Sequence, residues 1–365
     1  MKRISACPGP VLYLCLVPVC AALWVGCPSS ATAIEPLRAE MLDAENISAD
    51  NLKSLQADGT NAVVLNLQKP DRQRRAAGLI ADSGMRLYYW IEVARCPELA
   101  DEHPEWMASL QGHQEWRRFF PDAPEPQRQS EVIKNYPWVP VLYRESFDAQ
   151  LKRVSRLLSA MPKPDGILLN DLQGAPSACG CGHPLCRWTA DYGPIKTATP
   201  LEPDAAARFV KAVSERYPDS EVIPVWLTEC EEHDGADDGL CAGVGCFHGI
   251  CWKAWTEQLM PVAAESAHVA VLLPFRMFQR DLQLYGAPGR WAASALKTFQ
   301  SMPVRHNAKP VAAEKLIAVL QGWDVTAEEV DIQKRSAIKA GTAGYIILRT
   351  EIDQSWQPRI HRFVR

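Results

Sequence analysis

Short apolar runs alternate with helix-forming stretches along most of this 365-residue chain. No other feature narrows its folds as far, because a repeated strand–helix order builds a parallel sheet. Strands are predicted at 39–42, 61–67, 86–93, 166–171, 221–226, 269–273, 316–320 and 345–348. Their apolar residues run on without alternation, the pattern of strands covered on both faces. Helices are predicted over 49–58, 147–160, 204–216, 252–265, 290–301 and 327–340. Ser48 is placed to cap the first, and Gly59 to end it. Thr326-x-x-Glu329 is a capping box for the last. Pro224 is out of place inside a strand, since it brings no N–H to the ladder. Eight strands with helices between most of them predict one α/β domain, a (β/α)8 TIM barrel over 34–365, and such barrels need about 250 residues. The Pro- and Trp-rich stretch 94–145 is a lid or small subdomain within it. An open doubly wound sheet is the competitor, but no Gly-x-Gly-x-x-Gly turn supports a dinucleotide site.

The first 33 residues are set apart. Lys2 and Arg3 precede an apolar run from Val11 to Val25, and small residues follow to Ala31-Thr32-Ala33. This is the n-region, h-region and A-x-A-like cleavage site of a signal peptide. The run is too short for a membrane-spanning helix, which needs about 20 apolar residues, and Pro18 interrupts it. The expected locations are extracellular or periplasmic. Val25-Gly26-Cys27 ends like a lipobox, so lipid anchoring at Cys27 is the alternative. No other long apolar run exists, so the mature chain is expected to have no transmembrane segment.

Charge excludes one class of partner. The chain holds 39 Lys+Arg against 43 Asp+Glu, which leaves no surplus cation to neutralise nucleic-acid phosphates. With 47% hydrophobic residues it is also not a disordered chain.

In a (β/α)8 barrel the loops after the strands build the active site. Candidate catalytic carboxylates there are Asp171 after the fourth strand, Glu229 after the fifth and Glu351 after the eighth. Paired carboxylates suit glycosidic cleavage: one protonates the leaving oxygen, and the other attacks or activates water. Candidate substrate-binding groups are Asn170, Gln173, Trp90, Glu92, His103, Arg276, Trp323 and Asp324. Sugar rings stack on aromatic faces, which gives the Trp residues a role, although large rings also fill loops. The competing role for any one carboxylate is an ion pair, with Arg276 and Arg349 as partners.

The eight cysteines beyond the leader all lie between Cys96 and Cys251. Cys179-Gly-Cys181-x4-Cys186 follows the fourth strand. Adjacent members of a C-x-C pair bridge each other poorly, but both can face one metal. With Cys96 from the third-strand loop they make a candidate structural zinc site of four thiolates, and His183 is an alternative ligand. Export favours disulfides instead. Cys230, Cys241, Cys246 and Cys251 read as a disulfide-stapled loop of unassigned connectivity.

Asn170-Asp171, the C-x-C-x4-C run and Cys96 together resemble the zinc-cluster beta-galactosidases among the retaining (β/α)8 glycosidases. In that family an Asn-Glu pair ends strand four, its Glu is the acid/base, and a cysteine run follows. This chain has Asp171 in place of that Glu, four residues rather than two in the last cysteine spacing, and Gln321 then Asp324 where the nucleophilic Glu is expected. Asp165-Gly-Ile-x-x-Asn-Asp171 and His103-Pro-Glu-Trp106 are similar to glycosidase-like barrels of secreted bacterial proteins. Both resemblances imply a glycoside hydrolase-like protein with a carbohydrate substrate or ligand. Gln321 motivates an alternative, a non-catalytic glycan-binding barrel that has lost its nucleophile.

Overall fold

The computed structural model describes residues 35–107, 127–128, 131–134, 139–141, 144–172, 204–227, 252–274, 288–350 and 360–364. The chain divides into two units, Met1–Glu35 and Pro36–Arg365, and the second holds the fold. The expected leader at 1–33 lies outside the described residues.

The described strands are β1 (Leu37–Leu42), β2 (Ala62–Asn66), β3 (Arg86–Glu92), β4 (Glu131–Lys134), β5 (Gly166–Asn170), β6 (Glu221–Leu227), β7 (Val269–Leu273), β8 (Leu316–Gln321), β9 (Gly344–Leu348) and β10 (His361–Val364). Eight of them close a barrel in the order β1-β2-β3-β5-β6-β7-β8-β9, every neighbour parallel, with β9 returning to β1 at Leu37↔Gly344. The described helices are α1 (Ala49–Ala57), α2 (Pro70–Asp82), α3 (Pro97–Glu102), α4 (Arg144–Ser159), α5 (Ala205–Arg216), α6 (Trp252–Glu265), α7 (Pro288–Arg305) and α8 (Ala327–Lys339). The architecture is a (β/α)8 barrel.

Side-chain alternation along each strand separates two cores. One set fills the lumen: Leu37, Ala39 and Met41 of β1, Val64 of β2, Tyr88 and Trp90 of β3, Leu168 of β5, Val225 of β6 and Val319 of β8 among them. The opposite set, with Val63, Tyr89, Ile91, Leu169 and Leu320, packs under the helices against residues such as Phe209 and Phe299. Burial on both faces explains why the strands read as unbroken apolar runs. Gly166 is required by the lumen. A Cβ there would stand 2.2 Å from Tyr88 Cε1, and Tyr88 is its register partner across the β3–β5 ladder.

Two helix starts follow their sequence signals. Ser48 Oγ accepts from Asn51 N–H at 3.2 Å. Thr326 and Glu329 exchange side-chain-to-backbone bonds at 3.2 and 2.8 Å. Pro224 does stand inside β6, paired in register with Leu169; the β7 ladder begins one residue later, at Val225. α2 is an element the periodicity does not announce. It opens on Pro70 at its first turn and buries only Ala76, Ala77 and Ile80, so its apolar stripe is three residues wide among charged ones.

Two contacts close the structure at long sequence range. Arg349, just past β9, grips Glu40 of β1 through Nε at 2.8 Å and a terminal nitrogen at 2.7 Å. β10 pairs antiparallel with β4, joining His361 to Lys134 and Val364 to Glu131. β4 therefore belongs to the 94–145 stretch but is held by a strand that follows the whole barrel.

Candidate active site

The lumen becomes polar at the C-terminal ends of the strands. Continuing the inward set by two residues gives Asn66 on β2, Glu92 on β3, Asn170 on β5 and Gln321 on β8. Glu92, Asn170 and Gln321 are buried, and Asn66 is half-buried. Beneath them Trp90 has no exposed surface. It forms a floor and hands its indole N–H upward to Glu92 Oε1 at 2.7 Å, as residues two apart on one face of a strand can.

Glu92 is the hub of this layer. Its second oxygen accepts from Asn170 Nδ2 at 2.8 Å, and the two residues are register partners on adjacent strands. Its own carbonyl accepts from Arg153 of α4 at 2.9 Å. The β3–β5 ladder continues past both strand ends, with Val93 N–H on Asn170 O at 3.0 Å and Ala94 N–H on Asp171 O at 3.3 Å.

Asp171 is the first residue beyond β5. Its φ of 59° places it in the left-handed region, which is unusual for a residue other than glycine and turns the chain sharply off the strand. Its side chain is 11% exposed and sits 3.3 Å from Arg95 Nε. That contact is an ion pair without hydrogen-bond geometry. Burial pushes the Asp171 carboxyl well above the usual carboxylate range. The Arg95 guanidinium pulls it down, and the neighbouring charge of Glu92 pushes it up again. The balance of these causes is a shift toward the protonated form.

The other candidates are more dispersed. His103 stacks on Trp106, with ring centroids 3.7 Å apart and planes 15° off parallel. Its Nδ1 lies 3.2 Å from Glu105 Oε1, so the His-Pro-Glu-Trp segment is a self-contained cluster. Trp323 is half-buried and packs on the lumen core. Asp324 is exposed, with a φ of 50°. Gln321 directs its amide to the Trp323 carbonyl at 3.0 Å. Its backbone is bracketed by Gln333 of α8 at 3.2 and 3.0 Å. Gln173, Glu229, Arg276 and Glu351 lie outside the described residues.

Of the four candidate zinc ligands only Cys96 is described. Its thiol is buried, donates to Glu98 Oε2 at 3.4 Å, and is pushed up to about 11, mainly by burial. Cys179, Cys181 and Cys186 lie outside the described residues, as do Cys230, Cys241, Cys246 and Cys251. Among the described residues no three His, Cys, Asp or Glu side chains gather as a metal site, and no helix is long and apolar enough to cross a membrane.

One group of the site is not legible in the sequence: Arg95 lies three residues past Glu92, in a stretch whose direction no periodicity gives. Asn66 does read from the sequence, as the polar end of the second strand. Its Oδ1 is buried without a hydrogen-bond partner, and its carbonyl accepts from Gln73.

No protein-family model and no curated protein sequence matches the chain. Solved structures do match. The beta-galactosidase of the psychrophilic Marinomonas ef1 aligns over 88% of this chain at a TM-score of 0.50 and 11% identity. An endo-beta-1,4-mannanase of Thermotoga petrophila covers 87% of this chain and 68% of its own, at 10% identity and a TM-score of 0.44. Alpha-L-fucosidase isoenzyme 2 of Paenibacillus thiaminolyticus covers 86% and 46%, at 14% identity and a TM-score of 0.42. The chain spans 55% of the Marinomonas enzyme's length. These neighbours are glycoside hydrolases, and at such identities the likeness is one of fold: a closed parallel barrel of eight strands.

Proposed function

We propose that the protein is a secreted glycoside hydrolase acting on a poly- or oligosaccharide, with Asp171 as its proton donor. One observation carries the reading. At the mouth of the barrel, after its fourth strand, Asp171 is only 11% exposed, is turned off the strand by its left-handed backbone and is biased toward its protonated form. A fold shared with glycoside hydrolases is consistent with this, but fold alone does not carry activity.

In the proposed reaction Asp171 gives its proton to the glycosidic oxygen as the C–O bond breaks, and the bonding pair stays on that oxygen. Water supplies hydroxide to the anomeric carbon and its remaining proton restores the acid, so one glycoside and one water become a hemiacetal sugar and one alcohol. Glu229 and Glu351 are the candidates for the second carboxylate. A separation from Asp171 of about 5–5.5 Å goes with retention, and one of about 6.5–9.5 Å with inversion. Asn170, Gln173, His103, Arg276, Trp323 and Asp324 are the proposed sugar contacts. A zinc held by Cys96, Cys179, Cys181 and Cys186 would be structural, since four thiolates leave no open position. Metal analysis of the purified protein tests it.

Asp171→Asn, which keeps shape and removes the acid, is expected to lower glycan hydrolysis by about 10²–10⁴-fold, the usual contribution of a positioned proton donor. Undiminished hydrolysis by this variant overturns the assignment. The second reading is a glycan-binding barrel without turnover. The Asp171–Arg95 ion pair and Gln321 on the seventh barrel strand favour it. It predicts binding without hydrolysis, and both unchanged in Asp171→Asn.

A further inference from the structure

We infer that the groove between α7 and α8, on the outer wall of the barrel, is a second binding site, and that its ligand is an acidic polysaccharide, a sugar chain carrying carboxylates. No residue of the barrel mouth takes part in it, so the inference goes beyond the hydrolase reading and does not depend on it.

Two helix faces make the walls. Gly289, Ala293, Lys297 and Gln300 recur at helical spacing along α7, and Ile332 and Ser336 do so along α8. The helices press together at one end of the groove: a Cβ on Gly289 would stand 2.3 Å from Ile332 Cγ2 and 2.7 Å from Ser336 Oγ. Beyond that contact the walls carry side chains as small as Ala293 and Ala340, and the cleft opens to about 490 Å³, a volume in the range of small-molecule sites.

The charge of this cleft has one sign. Arg290, Lys297 and Lys339 line it, all three exposed, and among the described residues no aspartate or glutamate does. α7 has no acidic residue along its 18 positions. Arg290 stands in its first turn, where the helix dipole disfavours a cation and no acid offsets it. Asp331, beside Ile332 in sequence, pairs with Lys334 at 3.6 Å instead. Among the described residues neither Arg290 nor Lys339 is in an ion pair. The chain as a whole has the opposite balance, 39 Lys+Arg against 43 Asp+Glu. The groove is therefore a local positive field on an acidic protein, and such a field concentrates anions.

Spacing selects the kind of anion. Seven residues of helix set Arg290 and Lys297 about 10 Å apart along the axis, which suits a polymer with separated charges better than one compact phosphate. Duplex DNA carries a charge every 1.7 Å or so, far denser than three cations on an acidic body can match. Between the cations, Ser336 and Gln300 offer the hydrogen bonds that sugar hydroxyls take. Ala293 and Ile332 give apolar surface to the C–H face of a ring.

The test is calorimetric titration of the full-length protein with polygalacturonate at low salt, with neutral dextran and duplex DNA alongside. Polygalacturonate should bind, and should bind more weakly as salt rises, because exposed charges are screened. Arg290→Gln with Lys339→Gln should weaken it about tenfold or more, as loss of two charge-assisted contacts does. Ala293→Trp, which fills the cleft and keeps its charge, should weaken it as well. Lys53→Gln with Lys211→Gln removes two exposed cations from α1 and α5 and should leave binding unchanged. Asp171→Asn should also leave it unchanged, which separates the groove from the mouth. Binding no better than that of dextran overturns the inference. So does equal weakening by the Lys53 and Lys211 pair, an unaffected Ala293→Trp, or binding lost in Asp171→Asn. DNA held more tightly than polygalacturonate through Arg290 and Lys339 overturns the sugar chain as occupant.

Discussion

Asp171 has a cost in stability that can be measured. Its folded-state carboxyl titrates above the unfolded one, so the folded chain binds more protons as pH rises past the ordinary aspartate value near 3.9. The contribution to stability is therefore unfavourable above that value. It grows until the folded midpoint is reached and is absent at lower pH. A tenfold difference in proton affinity between the folded and unfolded chain is worth about 1.4 kcal/mol. Asp171→Asn should be more stable than the native chain at pH 7, and this advantage should shrink as pH falls toward 4. Urea unfolding at both pH values checks it. A pH-independent gain would instead report the easier left-handed conformation of Asn. Of this site, Asn170, Asp171 and Glu92 are legible in the sequence because strand ends are legible. Arg95 is not, since the direction of a loop side chain follows from packing that no local pattern encodes. Trp90 reads as a sugar contact from its place near the mouth; the structure sets it in the floor beneath Glu92, where alternation by two points it inward.

At the scale of elements, all eight barrel strands stand out because burial on both faces leaves an uninterrupted apolar signal. α2 escapes because it starts after Lys69, which makes no side-chain cap, so it lacks the local start signal that Ser48 gives α1 and Thr326 gives α8. The β4–β10 ribbon escapes too, as its strands are four residues each and far apart in sequence. The capping box is readable because its chemistry is local. Thr326→Ala should lower stability by about 1 kcal/mol, seen as a reduced urea midpoint at unchanged slope. Gly166→Ala should cost more, about 1–3 kcal/mol, since the added methyl meets the Tyr88 ring inside a packed lumen. Gly166→Ala with Tyr88→Leu should recover part of that loss.

At the scale of the molecule, the barrel shuts where β9 meets β1, and Arg349 reaches across that seam to a Glu40 that is 5% exposed. Arg349→Met should destabilise by about 3 kcal/mol, the low end of the range for stranding a buried charge, because Arg349 itself is 38% exposed. Adding Glu40→Leu should restore most of it; a double variant as unstable as the single one would show that the charge is not what matters. The β4–β10 ribbon has a different bearing, on synthesis. During translation residues 131–134 leave the ribosome early and offer a bare edge until residues 361–364 arrive. Unpaired edges recruit other chains. The nascent polypeptide therefore passes most of its elongation with an open docking edge beside a half-built cylinder, and chaperone demand should fall on that interval rather than on the finished protein.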